Sequence, residues 1–282
     1  MQEFIKTSWG PHFPGPQPVS IERRHFGLFD IQPYLICEKT DGVRYILASI
    51  PDGLFIMNRA MHVTRVPSLR VPKDTLLDGE LVELKTKKWV YIVYDAVRIK
   101  GEDLREQPLT TRLEKTRALV KTIIKTAGAP FEIRVKIMYP LERARDLPHL
   151  DAFEYETDGV VLTPVNEPIR LGTHETMFKW KPRERITIDF QLKLGKYLYV
   201  QDKGIPYKES ELHVPSSLPD GTIVECGYGP TGWFIEKVRT DKTHANNRRT
   251  YYRTIVNLRE NIQLDEIIGR EPYRTPLSSL PA

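Results

Sequence analysis

The chain has 282 residues. At roughly 150 residues per domain, that is one large domain or two ordinary ones, with a core that needs no disulfide staples. Hydrophobic residues make up 40% and charged residues 28%, a globular balance that excludes global disorder and collagen-like, coiled-coil and disulfide-rich secreted compositions. Lys+Arg is 42 against Asp+Glu at 37, so the net charge of +5 permits a nucleic-acid or nucleotide partner without demanding one.

From the N-terminus, Met1–Gly10 holds no apolar run of the signal-peptide kind. Segment 11–20 carries four prolines and one glycine and reads as an extended entry. Residues 34–37 and 43–50 are apolar-rich and flank a polar turn, KTDG. Residues 54–66 and 89–97, rich in β-branched and aromatic side chains, read as strands. The spacing of Leu113, Leu119, Val120, Ile123 and Ile124 predicts a helix over 110–127, with Gly128 as its stop. Residues 159–165 read as a further strand, and Phe178–Pro182 closes the first half. Beyond Pro182, short strands are expected at 186–194, 196–201, 222–228 and 232–238, a pattern of the small OB type of barrel. Residues 251–268 read as helical, and the last ten residues as a frayed end.

Cys37 and Cys226 lie far apart and neither belongs to a CxxC, so a structural zinc site is not expected and both read as reduced thiols. Cys37 reads as small core filler. The longest apolar-aromatic run, Trp89–Tyr94, is far short of the roughly 20 residues of a membrane helix, so no membrane partner is expected. The expected location is nuclear, or a cytoplasmic site of viral replication, and not secreted.

Chemistry starts at Glu38-Lys39-Thr40-Asp41-Gly42-Val43-Arg44. Taken alone, KxDG is as well explained by an exposed lysine in a turn. It is followed by Leu77-Asp78-Gly79-Glu80, Tyr94-Asp95-Ala96-Val97, Thr157-Asp158-Gly159-Val160-Val161, Phe178-Lys179-Trp180-Lys181-Pro182 and Arg239-Thr240-Asp241-Lys242. This ordered series resembles the six-motif signature of the covalent nucleotidyltransferases, the polynucleotide ligases and mRNA capping enzymes. Phe13–Ser20 (FPGPQPVS) and Thr187-Ile188-Asp189-Phe190 narrow it, because they resemble segments of capping guanylyltransferases that ligases lack. The likeness runs from residue 13 to about 268, and the compact size is most like the stand-alone enzymes of large DNA viruses.

The resemblance implies an α+β fold. A nucleotidyltransferase domain of the ligase (ATP-grasp-like) type, built of antiparallel sheets and helices, would span 1–183. An OB-fold β-barrel would span 184–259, with a helical segment at about 260–282 packing near the first domain. It implies a GTP:mRNA guanylyltransferase with Lys39 as the nucleophile, a divalent cofactor (Mg²⁺ or Mn²⁺), and GTP and 5′-diphosphate RNA as substrates. The triphosphatase and cap methyltransferase would be separate proteins. An ATP-dependent polynucleotide ligase and a catalytically inactive OB-fold nucleic-acid-binding module remain as alternatives.

The residue types fit such chemistry. A lysine nucleophile must lose its proton, which neighbouring positive charge or desolvation favours, and Lys179, Lys181 and a metal are the expected neighbours. Lys179 and Lys181, two apart, would share one face of a strand and gather negative charge developing on phosphate. Glu80 and Asp158 are the candidate metal-side carboxylates, since Mg²⁺ keeps several waters and needs only one or two. Turn chemistry explains Asp158-Gly159 equally well. By resemblance, Glu38, Thr40, Arg44 and Arg59 would line the nucleotide, with Asn58 departing from the family's acid beside Arg59. Tyr94 would stack on the base and Lys136 would donate to guanine O6. Arg239, Asp241 and Lys242 would close over the β- and γ-phosphates by a hinge near 181–186. The plainer reading of that basic loop is loose contact with RNA backbone.

Overall fold

The computed structural model describes residues 13 and 15–269. The readings of Met1–Gly10 and of the last ten residues lie outside the described residues, as do Pro11, His12 and Pro14 of the proline-rich entry. The described chain forms two compact units, one of residues 13, 15–19 and 25–179, the other of 20–24 and 180–269.

The first unit is built from two sheets. One has five strands in the order β1 (Pro16–Ser20), β14 (Gly172–Trp180), β13 (Thr157–Pro164), β2 (Tyr34–Thr40) and β12 (Tyr139–Pro140). The other runs β11 (Glu132–Val135), β8 (Trp89–Ile99), β7 (Thr75–Glu83), β3 (Val43–Ile50), β4 (Gly53–Asn58) and β5 (Val63–Arg65), with β9 (Glu102–Asp103) paired to β8. A small ribbon pairs β6 (Leu69–Arg70) with β10 (Ile124–Lys125).

Both faces of the larger sheet are covered. Leu47, Leu77, Tyr91 and Val93 pack on one side with Leu119 and Phe131, and Ile46, Ala48, Met57, Leu76 and Val97 on the other. Strands buried on both faces read as continuous apolar runs, which is why this half was legible as strand. The buried Tyr91 hydroxyl is satisfied by the carbonyls of Tyr45 (2.8 Å) and Leu77 (3.2 Å).

Several expected elements differ. KTDG is no hairpin turn. Strand β2 continues through Lys39 and Thr40, and Asp41-Gly42 carries the chain from one sheet to the other. The strand expected over 54–66 breaks after Asn58, whose side-chain oxygen accepts from the backbone N–H groups of Ala60 and His62, both at 3.0 Å. The helix is α2 (Leu109–Val120), after the single turn α1 (Leu28–Ile31), and it stops seven residues early. Thr122, Ile123 and Ile124 are β-branched and lose side-chain freedom in a helix, and Ile124 pairs with Arg70 instead.

In the second unit, β15 (Thr187–Lys193), β16 (Tyr197–Asp202), β17 (Ile205–Glu211), β18 (Ile223–Gly229) and β19 (Gly232–Val238) form one antiparallel sheet in the order 17-16-15-18-19. The sheet is consistent with an OB fold, yet among the described residues the expected barrel is not closed by a ladder; a bridge joins Leu212, just past β17, to Trp233 of β19. Strand β17 (IPYKESE) was missed because it is an edge strand, polar and proline-bearing. The expected terminal helix is α3 (Arg248–Glu260) and the short α4 (Leu264–Ile267). Tyr251 and Leu258 of α3 join the core of Ile188, Phe190, Leu192, Val224 and Trp233. The described part of the 260–282 segment thus belongs to the second unit, where Glu260 and Glu266 bind Arg23.

Candidate active site

Lys39 is the last residue but one of β2, and its position is set by a bulge in the strand alongside. Thr157 pairs with Thr40 and Gly159 with Lys39, leaving Asp158 as the extra residue. A bulge re-aims the side chain it carries, and here Asp158 Oδ1 accepts from Lys39 Nζ at 2.8 Å. Asp158-Gly159 is therefore strand bulge and not turn. The hydrogen-bond partner of Lys39 here is thus a carboxylate.

The two-residue crossing ties both sheets at this point. Asp41 N–H donates to Glu156 O at 2.9 Å, and Gly42 N–H donates to Glu80 Oε1 at 3.2 Å. Gly42 has no room for a side chain, since a Cβ would lie 2.6 Å from Leu81 O and 2.5 Å from Val82 Cγ1. Gly79 is closed in the same way, 2.6 Å from Ile92 O. The glycines of KTDG and LDGE are there for close approach of backbone, not for turn geometry.

Glu80 stands opposite Arg44 in the β3–β7 ladder. Burial pushes its carboxyl up, and Lys39, Lys136 and Arg44 act in the opposite direction. Arg44 is turned onto the protein. Its fork donates to both oxygens of Asp78 (3.0 and 2.6 Å), and Nη1 donates to Pro16 O at 2.7 Å. Burial opposes the Arg44 charge, but Asp78 overrides it and holds the guanidinium pKa up. Tyr94 is the extra residue of a second bulge, between the Asp78–Asp95 and Gly79–Val93 pairs. Its ring lies 5.6 Å from the Arg44 guanidinium, and burial raises its phenol well above the ordinary value.

Lys136 follows β11 and is only 3% exposed. Its ammonium donates to Glu38 Oε1 at 2.6 Å and to Thr40 Oγ1, and Tyr155 OH donates to the same Glu38 oxygen at 2.6 Å. Glu38, Thr40 and Lys136 thus form a buried knot in and behind the strand of Lys39. A Lys136 contact with a base requires that knot to open. Arg59 lies exposed on the turn after β4. Lys179 is in β14, whereas Lys181 lies just past the strand's end at Trp180. Pro182 follows and stops the ladder there. Trp180 is buried within the second unit, its Nε1 donating to Ile262 O at 2.7 Å.

In the second unit, the Arg239 fork donates to Asp241 (2.8 and 2.7 Å), and Nη1 reaches Asp189 (2.9 Å) and Glu225 (3.2 Å). Lys242 donates to the other Asp189 oxygen. The Arg239 side-chain bonds hold the Asp241 carboxyl far below its usual range. Asp189 and Glu225 are direct neighbours across the β15–β18 ladder, so two like charges are held together by the cations around them.

Three residues were missed as site members. Asp78 and Asp95 face one another across β7 and β8, and each is answered by an arginine fork, Arg44 and Arg112. Asp189, noted only within TIDF, anchors both cations of the Arg239–Lys242 motif. Each is an acid buried in a strand, a combination that is rare without a partner and so is a signal by itself.

The mRNA-capping enzyme of Danio rerio is 25% identical over 83% of this chain and 45% of its own length. The mRNA-capping enzyme subunit alpha of Candida glabrata is 30% identical over 92% of this chain and 80% of its own length. Among solved structures, mycobacterial DNA ligase D complexed with ATP and MES aligns at a TM-score of 0.48 and 11% identity, over 81% of this chain and 95% of that one. The chain spans about half the length of the first curated relatives it matches. Residues 1–183 match the model of the mRNA capping enzyme catalytic domain and residues 192–268 that of the mRNA capping enzyme C-terminal domain, so the chain belongs to the mRNA capping enzyme family.

Proposed function

We propose that this protein is a GTP:mRNA guanylyltransferase in which Lys39 is the nucleophile. The observation that carries the reading is the placement of Lys39 at a strand end against the bulged Asp158, beside Glu80, in a chain of this family. Lys39 Nζ attacks the α-phosphorus of GTP, the N–P bond forms, and the bond from that phosphorus to the bridging oxygen breaks to release pyrophosphate. The proton that leaves Nζ already lies on a hydrogen bond to Asp158. The terminal oxygen of the RNA diphosphate then attacks the same phosphorus, the N–P bond to Lys39 breaks, the lysine takes up a proton, and the GMP leaves as the cap. Positioning and charge neutralisation supply most of the catalysis in phosphoryl transfer.

Lys179, Lys181, Arg239 and Lys242 are assigned to the phosphate chain, with Asp241 orienting Arg239. Tyr94 is assigned to the base, Lys136 to its O6 once released from Glu38, and Arg44 and Arg59 to the ribose and phosphates. Among the described residues, no group of three or more His, Cys, Asp or Glu comes together as a metal cage. Two hard-oxygen carboxylates, Glu80 and Asp158, suit a divalent ion such as Mg²⁺ or Mn²⁺ that arrives with the nucleotide. When bound, such an ion neutralises charge on the phosphates.

The test is incubation with α-labelled GTP or α-labelled ATP and a divalent metal, followed by denaturing electrophoresis. An acid-labile, base-stable label from GTP alone is expected. Labelling from ATP alone would indicate a ligase. No label from either, with a folded protein, would indicate a binding module.

A further inference from the structure

The second unit carries a groove of about 560 Å³ whose lining includes Lys203, Asn247, Arg248, Arg249 and Tyr252. That volume lies within the ~300–1,000 Å³ range of ligand clefts. Three features of the groove point to one ligand chemistry.

The first is a rigid exposed ring. Tyr252 is 48% exposed, yet its hydroxyl is held by both oxygens of Glu209 (3.3 and 3.2 Å), and Tyr251 packs edge-on at 5.3 Å. Glu209 is itself the extra residue of a bulge in β17. An aromatic face already fixed in place loses little freedom on stacking.

The second is charge placed against the fold's own preference. Helix α3 has Arg248 and Arg249 in its first turn and no acid there. Cations at a helix N-terminus are disfavoured by the helix dipole. Arg248 is tied to Glu209 at 2.5 Å and lies over the rings of Tyr207 (4.6 Å) and Tyr252 (5.5 Å). Arg249 is exposed beside it, and Lys203 adds a third cation to a lining whose one acid is Asp202.

The third is connectivity. The loop after Lys242 hydrogen-bonds back to β15, with Asn246 N–H donating to Asp189 O (2.8 Å) and Asp189 N–H to Asn246 Oδ1 (2.9 Å). Its last residue, Asn247, caps α3 by accepting from Thr250 N–H at 2.8 Å. One short loop therefore runs from the Arg239–Lys242 cations to the groove.

From these features we infer that the groove binds single-stranded RNA, with a base stacked on Tyr252 and adjoining phosphates against Arg249 and Lys203. Cations beside an exposed ring suit a nucleotide, whereas an acidic peptide would use the cations and leave the ring without a partner. The inference deepens the capping reading, on which it rests, by placing a stretch of the acceptor RNA on the second unit.

The experiment is fluorescence anisotropy with a labelled single-stranded RNA bearing a 5′-hydroxyl, so that binding is read without transfer chemistry. Lys203→Glu/Arg249→Glu should weaken binding roughly 10-fold or more, and the slope of log K against log salt should fall by about 1.4 for two lost phosphate contacts. Tyr252→Leu should weaken binding roughly 5-fold or more with the salt slope unchanged. Lys203→Gln/Arg249→Gln, a milder pair, should show the same slope change. GMP-adduct formation from GTP should be unaltered in all of them.

Wild-type RNA affinity in variants that still form the adduct would overturn the groove and leave the guanylyltransferase reading standing. RNA binding that is lost in the variants, in a protein that forms no adduct at all, would support the groove while overturning that reading. Poly-glutamate binding at equal affinity, with the same sensitivity to Tyr252→Leu, would overturn the RNA assignment.

Discussion

The two groups of charged residues differ in how they are held. Around Lys39 in the first unit, the partners are buried within strands: Glu38 with Lys136, Asp78 with Arg44, Asp95 with Arg112. Around Lys242 in the second unit, only Asp189 is buried, and the network opens through Arg239 to the exposed Asp241. Buried pairs resist loss of one partner strongly, because the other is left charged in a low dielectric. Exposed pairs are screened and exchange cheaply with water or another anion. Under the proposed function, the first arrangement would stiffen the strand that carries Lys39, and the second would let its cations trade a carboxylate for phosphate.

The largest effect should come from Lys39→Ala, which tests the fixed side. Labelling by α-labelled GTP should fall by at least ~10³-fold, the loss of a covalent nucleophile, while thermal unfolding stays cooperative. Normal labelling would remove the nucleophile assignment. Glu38→Ala tests burial itself. It leaves the Lys136 ammonium buried without its carboxylate and should cost about 3–5 kcal/mol in denaturant unfolding. A loss under ~1 kcal/mol would mean that Lys136 leaves the interior readily, which would favour its contact with a base.

Lys242→Ala tests the exchangeable side. Adduct formation from GTP should slow by roughly 10²-fold, as for the loss of one charge-stabilising donor. Attack of RNA on preformed enzyme–GMP should change much less, and equal losses in both half-reactions would contradict a role on the leaving phosphates.

The smallest effect concerns His174, buried in the first unit beside Glu167 (3.8 Å) and Thr176 (3.2 Å). Burial lowers its imidazole, Glu167 pulls the other way, and Arg170 and Arg112 add to the lowering. Its folded pKa lies below the unfolded value of 6.5, so the unfolded chain takes the proton first. Stability should therefore be full above about pH 6.5 and decline as pH falls below it. His174→Asn should flatten that part of the pH–stability curve, and an unchanged slope would refute the assignment.

Much of this was legible in the sequence where pattern is local. The apolar run at 43–50 and the aromatic run at 89–97 read as strands because burial on both faces leaves a continuous hydrophobic signal. The ordered motifs pointed to the family because each is a short run of fixed residue types. Local pattern failed where the deciding contact was distant. Ile123 and Ile124 fit a helical stripe, yet β-branching and the pairing of Ile124 with Arg70 end the helix at Val120. Strand β17 carried no apolar run because it lies at an edge.

By itself, the sequence pointed to the family and to the candidate nucleophile, carboxylates and cations proposed for a nucleotide site, since those depend on residue identity and order. Only the tertiary structure decided what each group touches. It sent β2 and β3 into different sheets, so that KTDG became a crossing and its glycine a point of contact. It turned Arg44 onto Asp78 and Lys136 onto Glu38, and it aimed Asp158 and Tyr94 through two bulges. The reason is physical: a buried charge must find its partner wherever the fold brings one, and residues 34 and 98 positions apart, as these two pairs are, leave no local trace of that choice.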